Sequence, residues 1–377
     1  MNNTAISAKN MTLLPMAQKV PEGAGKFHLP SHRQSFVTGS HATAVGNVPL
    51  VTAELTLRDK LGHCLVRWNI GRDSFTVEAG LYAIGSPTDT SPVLVTANYK
   101  MSFDLLRRAL NKRDAWILVL DTKGVNVWCA AGKGTFGTEE LVDRIGASRL
   151  HEVVSHRKLI LPQLGATGIA AFEIHRYSGF SVVYGPVMVG DLPEFLDNSC
   201  QATPSMRIKN FPLRERLALI PVDIVLALRQ IIPLALIFFL IAGFTGDAPF
   251  LQSALSSGLP PVIALLTGVM AGSVLTPLLL PWVPGRAFSI KGGVCGLLLF
   301  FPVFSAFQGN ASHSAMENIA WLLIALAVSS WFGMAFTGAS TYTSLNGVRK
   351  EMLRAMPLQF LFMITGIALW ASALWTS

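Results

Sequence analysis

The most pointed chemistry in this sequence lies at one cysteine. Cys129 stands in the run Asn126-Val127-Trp128-Cys129-Ala130-Ala131-Gly132-Lys133, followed by Gly134 and Thr135. Asn is a strong helix N-cap, so Asn126 predicts a short helix with Cys129 in its first turn, where unpaired N–H groups and the helix dipole favour a thiolate. A thiolate is a soft, strongly donating metal ligand. Ala130, Ala131, Gly132 and Gly134 carry little or no side chain, which lets backbone press against a broad flat surface such as a macrocycle. The residues alone leave a second reading open: a buried cysteine packed beside Trp128, the commoner use of a lone Cys.

Competing motifs fail at the same loop. Gly132-Lys133-Gly134 is no phosphate-binding P-loop, because position 127 is not Gly and residue 134 is Gly where Ser or Thr must reach magnesium. Gly132-Lys-Gly134-Thr-Phe-Gly137 matches GxGxxG literally, but eleven residues separate it from the strand ending at Leu120, where a dinucleotide turn follows its strand directly. No His has an Asp two residues before it and a Gly three after it, so the usual cobalamin-binding signature is absent. Cys64, Cys129, Cys200 and Cys295 are 65, 71 and 95 residues apart, spacings that argue against an iron–sulfur or structural zinc site in this chain.

The elements that must position Cys129 read as an α/β pattern. Leu65–Ile70, Phe75–Ile84 and Pro92–Thr96 predict strands, Ser102–Asn111 a helix, and the continuous apolar run Ala115–Leu120 a buried strand. After a turn at Asp121–Gly124 and the cysteine motif, Thr138–Ile145 has a capping start and helical spacing. Apolar runs at Leu150–Val154, Leu159–Leu161 and Phe180–Tyr184 follow. Strands alternating with helices predict an α/β sheet with ligands at the carboxyl ends of strands, and 121–137 lies at such an end. Residues 1–45, polar and without periodicity, predict a loosely ordered lead-in with no cleaved secretory signal. The α/β domain is placed at 46–200 and a basic linker at 201–224.

From 225 onward the chain changes character. Of 30 Lys and Arg, 24 precede about residue 225, as do 19 of the 22 Asp and Glu, although the whole chain is 51% hydrophobic. Five stretches approach the roughly 20 apolar residues that cross a membrane: 225–244, 261–283, 288–307, 319–338 and 356–375. The loops near Asp247 and His313 lack Lys and Arg, whereas Arg207, Lys209, Arg214 and Arg216 precede the first span. Arg286 with Lys291, and Arg349 with Lys350 and Arg354, mark two further basic loops. The positive-inside tendency puts the basic loops and N-terminal domain in the cytoplasm, and the C-terminus on the opposite side. Gly268 with Gly272, and Gly292 with Gly296, are spaced for close helix approach. No charged residue lies mid-span, which disfavours an ion-coupled transporter and makes the spans an anchor and docking platform. The mild net charge of +8 does not argue for nucleic acid.

The motif Asn126–Lys133 resembles, at all eight positions, the cap-helix signature N(V/I)WCA(A/G)GK of the HgcA family, the corrinoid proteins of microbial mercury methylation. Asn98-Tyr99-Lys100 and Leu118–Gly124 also resemble that family and, more distantly, the corrinoid iron–sulfur protein of one-carbon metabolism. The resemblance implies an α/β Rossmann-like cytoplasmic corrinoid-binding domain followed by an all-α five-helix transmembrane domain in the inner membrane. It implies a base-off cobamide whose cobalt takes Cys129 as lower axial ligand, and methyl transfer from cobalt to an Hg(II) thiolate, giving methylmercury. Asn126 would orient the cap helix, with Val127, Trp128, Ala130, Ala131, Gly132, Gly134 and Thr135 beside the cofactor. Lys133 would pair with an acidic group of the cofactor or cap a helix end. Thr96, Asn98, Gln163, Leu164, Gly165, Ala166, Gly185 and Pro186 would hold the corrin amides and nucleotide tail, with ordinary turn chemistry as their alternative.

The implied partners are the ferredoxin-like HgcB, with two four-iron clusters for electrons and Hg(II) delivery, and a methyl donor related to methyltetrahydrofolate. Two other readings stay open: a membrane-anchored corrinoid methyl carrier with a different acceptor, and a non-catalytic membrane receptor or transporter with a cytoplasmic sensing domain.

Overall fold

A computed structural model of the chain describes residues 26–308, 313–338, 340, 343 and 345–376. The chain divides into two compact units, one holding the described residues up to Thr56 together with Asp73–Arg207, the other holding Leu57–Arg72 together with the residues from Ile208 onward.

The first unit is built on a sheet whose strands are β1 (Val37–Thr43), β2 (Gly46–Val51), β3 (Gly80–Ile84), β4 (Val93–Ala97), β5 (Ala115–Leu120), β6 (Lys158–Leu161) and β7 (Ser181–Tyr184). Their spatial order is β1-β2-β3-β5-β4-β6-β7. β5, β4, β6 and β7 form a parallel block, while β1 with β2 and β3 with β5 are antiparallel. The helices in chain order are α1 (Leu57–Arg67), which belongs to the second unit, then α2 (Lys100–Ala109), α3 (Val127–Lys133), α4 (Thr138–Ala147), α5 (Leu150–Val153), α6 (Ala171–Ser178) and α7 (Leu192–Asp197).

Side chains alternate across a strand, and here both faces of the sheet are covered. Val95, Leu118 and Leu120 enter one core with Ala130, Ala131 and Leu141 of α3 and α4. Leu94, Ile117 and Val119 enter the other with Phe103 of α2 and Phe195 of α7. A strand buried on both faces needs no polar side chain, which is why β5 reads as an unbroken apolar run. β4 is flanked by β5, reached through α2, and by β6, reached through α3 to α5. The strand order therefore reverses between β4 and β6, and open α/β sheets bind ligands at such a point.

Among the described residues the second unit contains five helices long and apolar enough to cross a membrane: α8 (Leu213–Thr245), α9 (Phe250–Leu279), α10 (Phe288–Gln308), α11 (Ala315–Ala335) and α12 (Leu345–Thr376). The paired glycines grip α11. A Cβ on Gly268 would sit 2.7 Å from Val328 Cβ, one on Gly272 2.7 Å from Ser329 O, one on Gly292 2.3 Å from Ser329 O, and one on Gly296 2.2 Å from Ser329 Oγ. Two cations close the end of α9: Arg216 Nη1 donates to Pro277 O at 2.7 Å and Leu278 O at 2.8 Å, and Lys291 Nζ donates to Leu280 O at 2.8 Å and to Val283 O. Cations near a helix C-terminus satisfy its orphan carbonyls and oppose its dipole.

Several sequence expectations are corrected. Leu65–Ile70 is not a strand; Leu57, Leu61 and Leu65 recur every fourth residue, and the segment through Arg67 is the helix α1. The strand expected over Phe75–Ile84 contracts to β3, because Gly80 turns to φ +144 where a Cβ would lie 2.6 Å from Pro30 Cγ. Residues 1–25 of the lead-in lie outside the described residues, but Val37–Thr43 is strand β1, held by cross-strand pairing that local polarity does not reveal. The linker expected over 201–224 is helical from Leu213, since Pro212 opens α8 well before its apolar stretch and Lys209 pairs with Glu215.

Candidate functional site

The loop from β5 to α3 is organised by Asn98, which follows β4 and is 7% exposed. Its Oδ1 accepts the backbone N–H of Thr122 at 3.1 Å and of Gly124 at 3.0 Å, and its Nδ2 donates to Asp121 Oδ1 at 3.0 Å. Thr122 Oγ1 donates to Val125 O at 2.6 Å. Asp121 N–H donates to Glu140 Oε1 at 2.8 Å, which ties the loop to α4. Burial alone would raise the Asp121 carboxyl, but hydrogen bonds from the Lys123 ammonium and N–H outweigh it and hold the group below the ordinary carboxylate range. Gly124 takes φ +71, where a Cβ would meet Thr76 Cγ2 at 2.8 Å. Asp121-Thr-Lys-Gly124 is thus a turn sequence written around one buried amide.

That turn delivers Asn126 to the start of α3, where its Oδ1 accepts the Cys129 N–H at 3.0 Å. The helix runs only to Lys133 and closes at Gly134, φ +81, whose N–H reaches Ala131 O at 3.3 Å. Val127, Ala130 and Ala131 are buried, Trp128 and Cys129 are half-buried, and Gly132, Lys133 and Gly134 are exposed. Nothing lies within 4 Å of a Cβ placed on Gly132 or Gly134. The helical turn Gln163–Gly168 packs on α3 at glycines. A Cβ on Gly168 would stand 3.0 Å from Ala131 Cα of α3 and 2.1 Å from the O of Phe136, just beyond that helix, and one on Gly165 2.5 Å from the Phe136 ring. α3 is therefore held from below by its alanines and from one side by this turn. Its outward surface is Trp128, Cys129, Gly132 and Lys133.

Beside it, at the reversal between β4 and β6, is a mainly apolar cleft of about 290 Å³. Of the residues expected from the sequence it brings together Thr96, Asn126, Val127, Trp128, Leu164, Gly185 and Pro186; Ser102, Leu105 and Met188 join them. The structure does not bring the others to this lining. Asn98 is engaged by the 121–124 loop, the turn chemistry that the sequence left open as the alternative to ligand contact. Ala130 and Ala131 pack their side chains into the core at 0% and 6% exposure, because they lie on the inward face of α3. Gly165 serves Phe136, and Gln163 accepts from Arg207 Nη1. Cys129, Gly132, Lys133, Gly134, Thr135 and Ala166 lie outside the lining.

Sequence reasoning missed Arg207. Its Nη1 donates both to Gln163 Oε1 and, at 3.0 Å, to Gly185 O, which ties together the loops that follow β6 and β7. A lone Arg among other basic residues before the apolar stretch carries no local signal of that reach.

Residues 64–193 match the family model of the CO dehydrogenase/acetyl-CoA synthase delta subunit, CdhD. The acetyl-CoA decarbonylase/synthase complex subunit gamma of Methanopyrus kandleri is 34% identical over 128 residues, 33% of this chain and 27% of that protein. The subunit of the same name from Archaeoglobus fulgidus is 31% identical over 139 residues, 36% of this chain and 29% of its own length. That from Methanocaldococcus jannaschii is 33% identical over 125 residues, 33% and 25% respectively. The chain thus spans about a quarter of these relatives' length. The family match contains β3 to β7 and α3, and α8 to α12 lie beyond it.

Proposed function

We propose that this chain is a membrane-anchored, corrinoid-dependent methyltransferase of the HgcA type, with Cys129 as lower axial ligand of a base-off cobamide and an Hg(II) thiolate as methyl acceptor. The observation that carries the proposal is the Asn126 cap, which sets a half-buried thiol in the first turn of a seven-residue helix beside an apolar cleft at the strand reversal. Support also comes from the eight-position resemblance over Asn126–Lys133 and from the similarity of residues 64–193 to subunits of acetyl-CoA-forming complexes.

The residues present fit such a group. Cys129 Sγ makes no hydrogen bond among the described residues, so no competing partner holds it, and the open space over Gly132 and Gly134 admits a flat surface. A bound cobamide would supply methyl transfer through its cobalt. Cys129 would donate to the metal, and Asn126 would fix the direction of the helix that carries the sulfur. Trp128 and Leu164 would wall the cleft and exclude water, with Thr96, Gly185 and Pro186 lining its floor. Lys133, Thr135 and Ala166 are the remaining candidates for polar parts of the cofactor, and Arg207 keeps the two distal loops together. The ferredoxin-like HgcB and a methyl donor related to methyltetrahydrofolate complete the proposed system. The distribution of basic loops supports a reading in which the α/β unit lies on the cytoplasmic side of an inner membrane with the C-terminus opposite.

The test is the full chain in lipid nanodiscs loaded with cobamide. Cys129→Ala should shift the visible spectrum of the bound corrinoid and abolish methylmercury formation with an electron donor present. Unchanged spectrum and activity reject the assignment. The similarity to acetyl-CoA-forming subunits favours a second reading, a corrinoid methyl carrier whose acceptor is not mercury. Ranking transfer rates to Hg(II) thiolate against competing thiol and metal acceptors separates the two.

A further inference from the structure

The helix α1 clusters with the membrane-type helices and not with the sheet that surrounds it in sequence. One face is buried, with Asp59 at 5% exposure and Val66 at 1%. The other exposes Leu57 at 77%, Leu61 at 64% and Leu65 at 47%, with Trp68 at 46% just beyond the last turn. At about 100° per residue these four fall within an arc of about 80°. Exposed cations border the arc, Arg58 on one side and Lys60 and Arg67 on the other. Single exposed apolar residues are ordinary on a protein surface, but a continuous stripe of large ones on one helix is not.

The position of α1 selects its occupant. It packs against α8. Arg72, just past α1, lies close enough to Asp223 of α8 for their charges to interact. Asp223 is two residues before the apolar stretch that opens at Val225, so this contact stands about 3 Å along the helix from the hydrocarbon edge. That is headgroup depth. Leucines facing the acyl boundary, a Trp at the interface and Lys and Arg stems reaching anionic headgroups are the chemistry of a helix lying in the membrane plane.

We infer that α1 is an in-plane membrane helix that seats Leu57, Leu61, Leu65 and Trp68 in the cytoplasmic leaflet, with Arg58, Lys60 and Arg67 on its anionic headgroups. The inference rests on the membrane reading of α8 and is independent of the corrinoid. It gives the chain a second attachment to the bilayer, between β2 and β3 in sequence, in addition to the helices that follow Arg207.

The test is photolabelling of the full-length wild-type chain in nanodiscs of phosphatidylglycerol and phosphatidylcholine, using a phospholipid with a carbene precursor near the ester end of its acyl chain. The result expected is label in the peptide 57–70 as well as in α8 to α12. Label in the spans without label in 57–70 overturns the in-plane helix alone, and label in neither overturns the membrane reading beneath it. A nitroxide on Leu61→Cys, in a chain whose other cysteines are serine, is expected to collide with dissolved oxygen and be shielded from an aqueous nickel chelate, with the reverse at Lys60→Cys. Shielding of position 61 from both collision partners, or dipolar broadening between labels, means that protein covers the stripe and overturns the proposal.

Discussion

Asn126 Oδ1 accepts the backbone N–H of Cys129 at 3.0 Å, so the residue that starts α3 also holds the backbone of the cysteine in its first turn. The contact satisfies one of the orphan donors of the first helical turn. It also fixes where the sulfur leaves the helix, since α3 is too short for the rest of its length to do so.

Replacing Asn126 by Ala is expected to cost the cap about 1 kcal/mol, and so to speed exchange of the amides at 128–130 about fivefold. Asn126→Asp keeps an acceptor and should stay near wild type. Hydrogen exchange read by mass spectrometry on the full chain checks both, and equal protection in Asn126→Ala would show that the cap does not hold this turn.

Asn98→Ala separates a loop-organising residue from a ligand-binding one. It leaves the Thr122 and Gly124 N–H groups without their acceptor, a loss on the order of 2 kcal/mol for buried donors. The cofactor-free α/β unit should lose protection over 121–126 and unfold at lower temperature. A residue needed only for the cofactor would leave the cofactor-free protein unchanged.

Asp121 sets an acid limit on the same loop. Its carboxyl is held below its unfolded-state value of about 3.9, so the stability it contributes is complete above that pH. It is lost as pH falls through the lower folded value. Between pH 5 and the acid limit, Asp121→Asn should flatten the dependence of 121–126 protection on pH, and wild type and variant should converge at the acid end. Parallel curves would show that another group governs the transition.

The close helix contacts predict opposite outcomes at neighbouring glycines. A Cβ on Gly292 would stand 2.3 Å from Ser329 O, whereas one on Gly293 meets nothing within 4 Å. Gly292→Ala should force α10 from α11 at a cost on the order of 1–3 kcal/mol, seen as a lower melting temperature in detergent, and Gly293→Ala should not. Matching melting temperatures for the two variants would contradict the packing.

Of the site, the cap helix was legible because its signals are local: a capping side chain, a short run and a terminal glycine occur within nine residues, Asn126 to Gly134. The role of Asn98 was not, since an amide after a strand looks the same whether it binds a ligand or a loop 23 to 26 residues away. Arg207, which reaches back 44 residues to Gln163 and 22 to Gly185, was illegible for the same reason.

The sequence by itself determined the alternation of elements, the buried strand Ala115–Leu120, the cap at Asn126 and the five apolar helices, all of which follow from propensity and periodicity over short windows. Only the tertiary structure decided that Ala130 and Ala131 face inward, that the strand order reverses between β4 and β6 to open a cleft, and that the leucine stripe of α1 is left exposed. Those outcomes depend on which surfaces meet after the chain has closed long loops, and no short stretch of residues encodes its own distant neighbour.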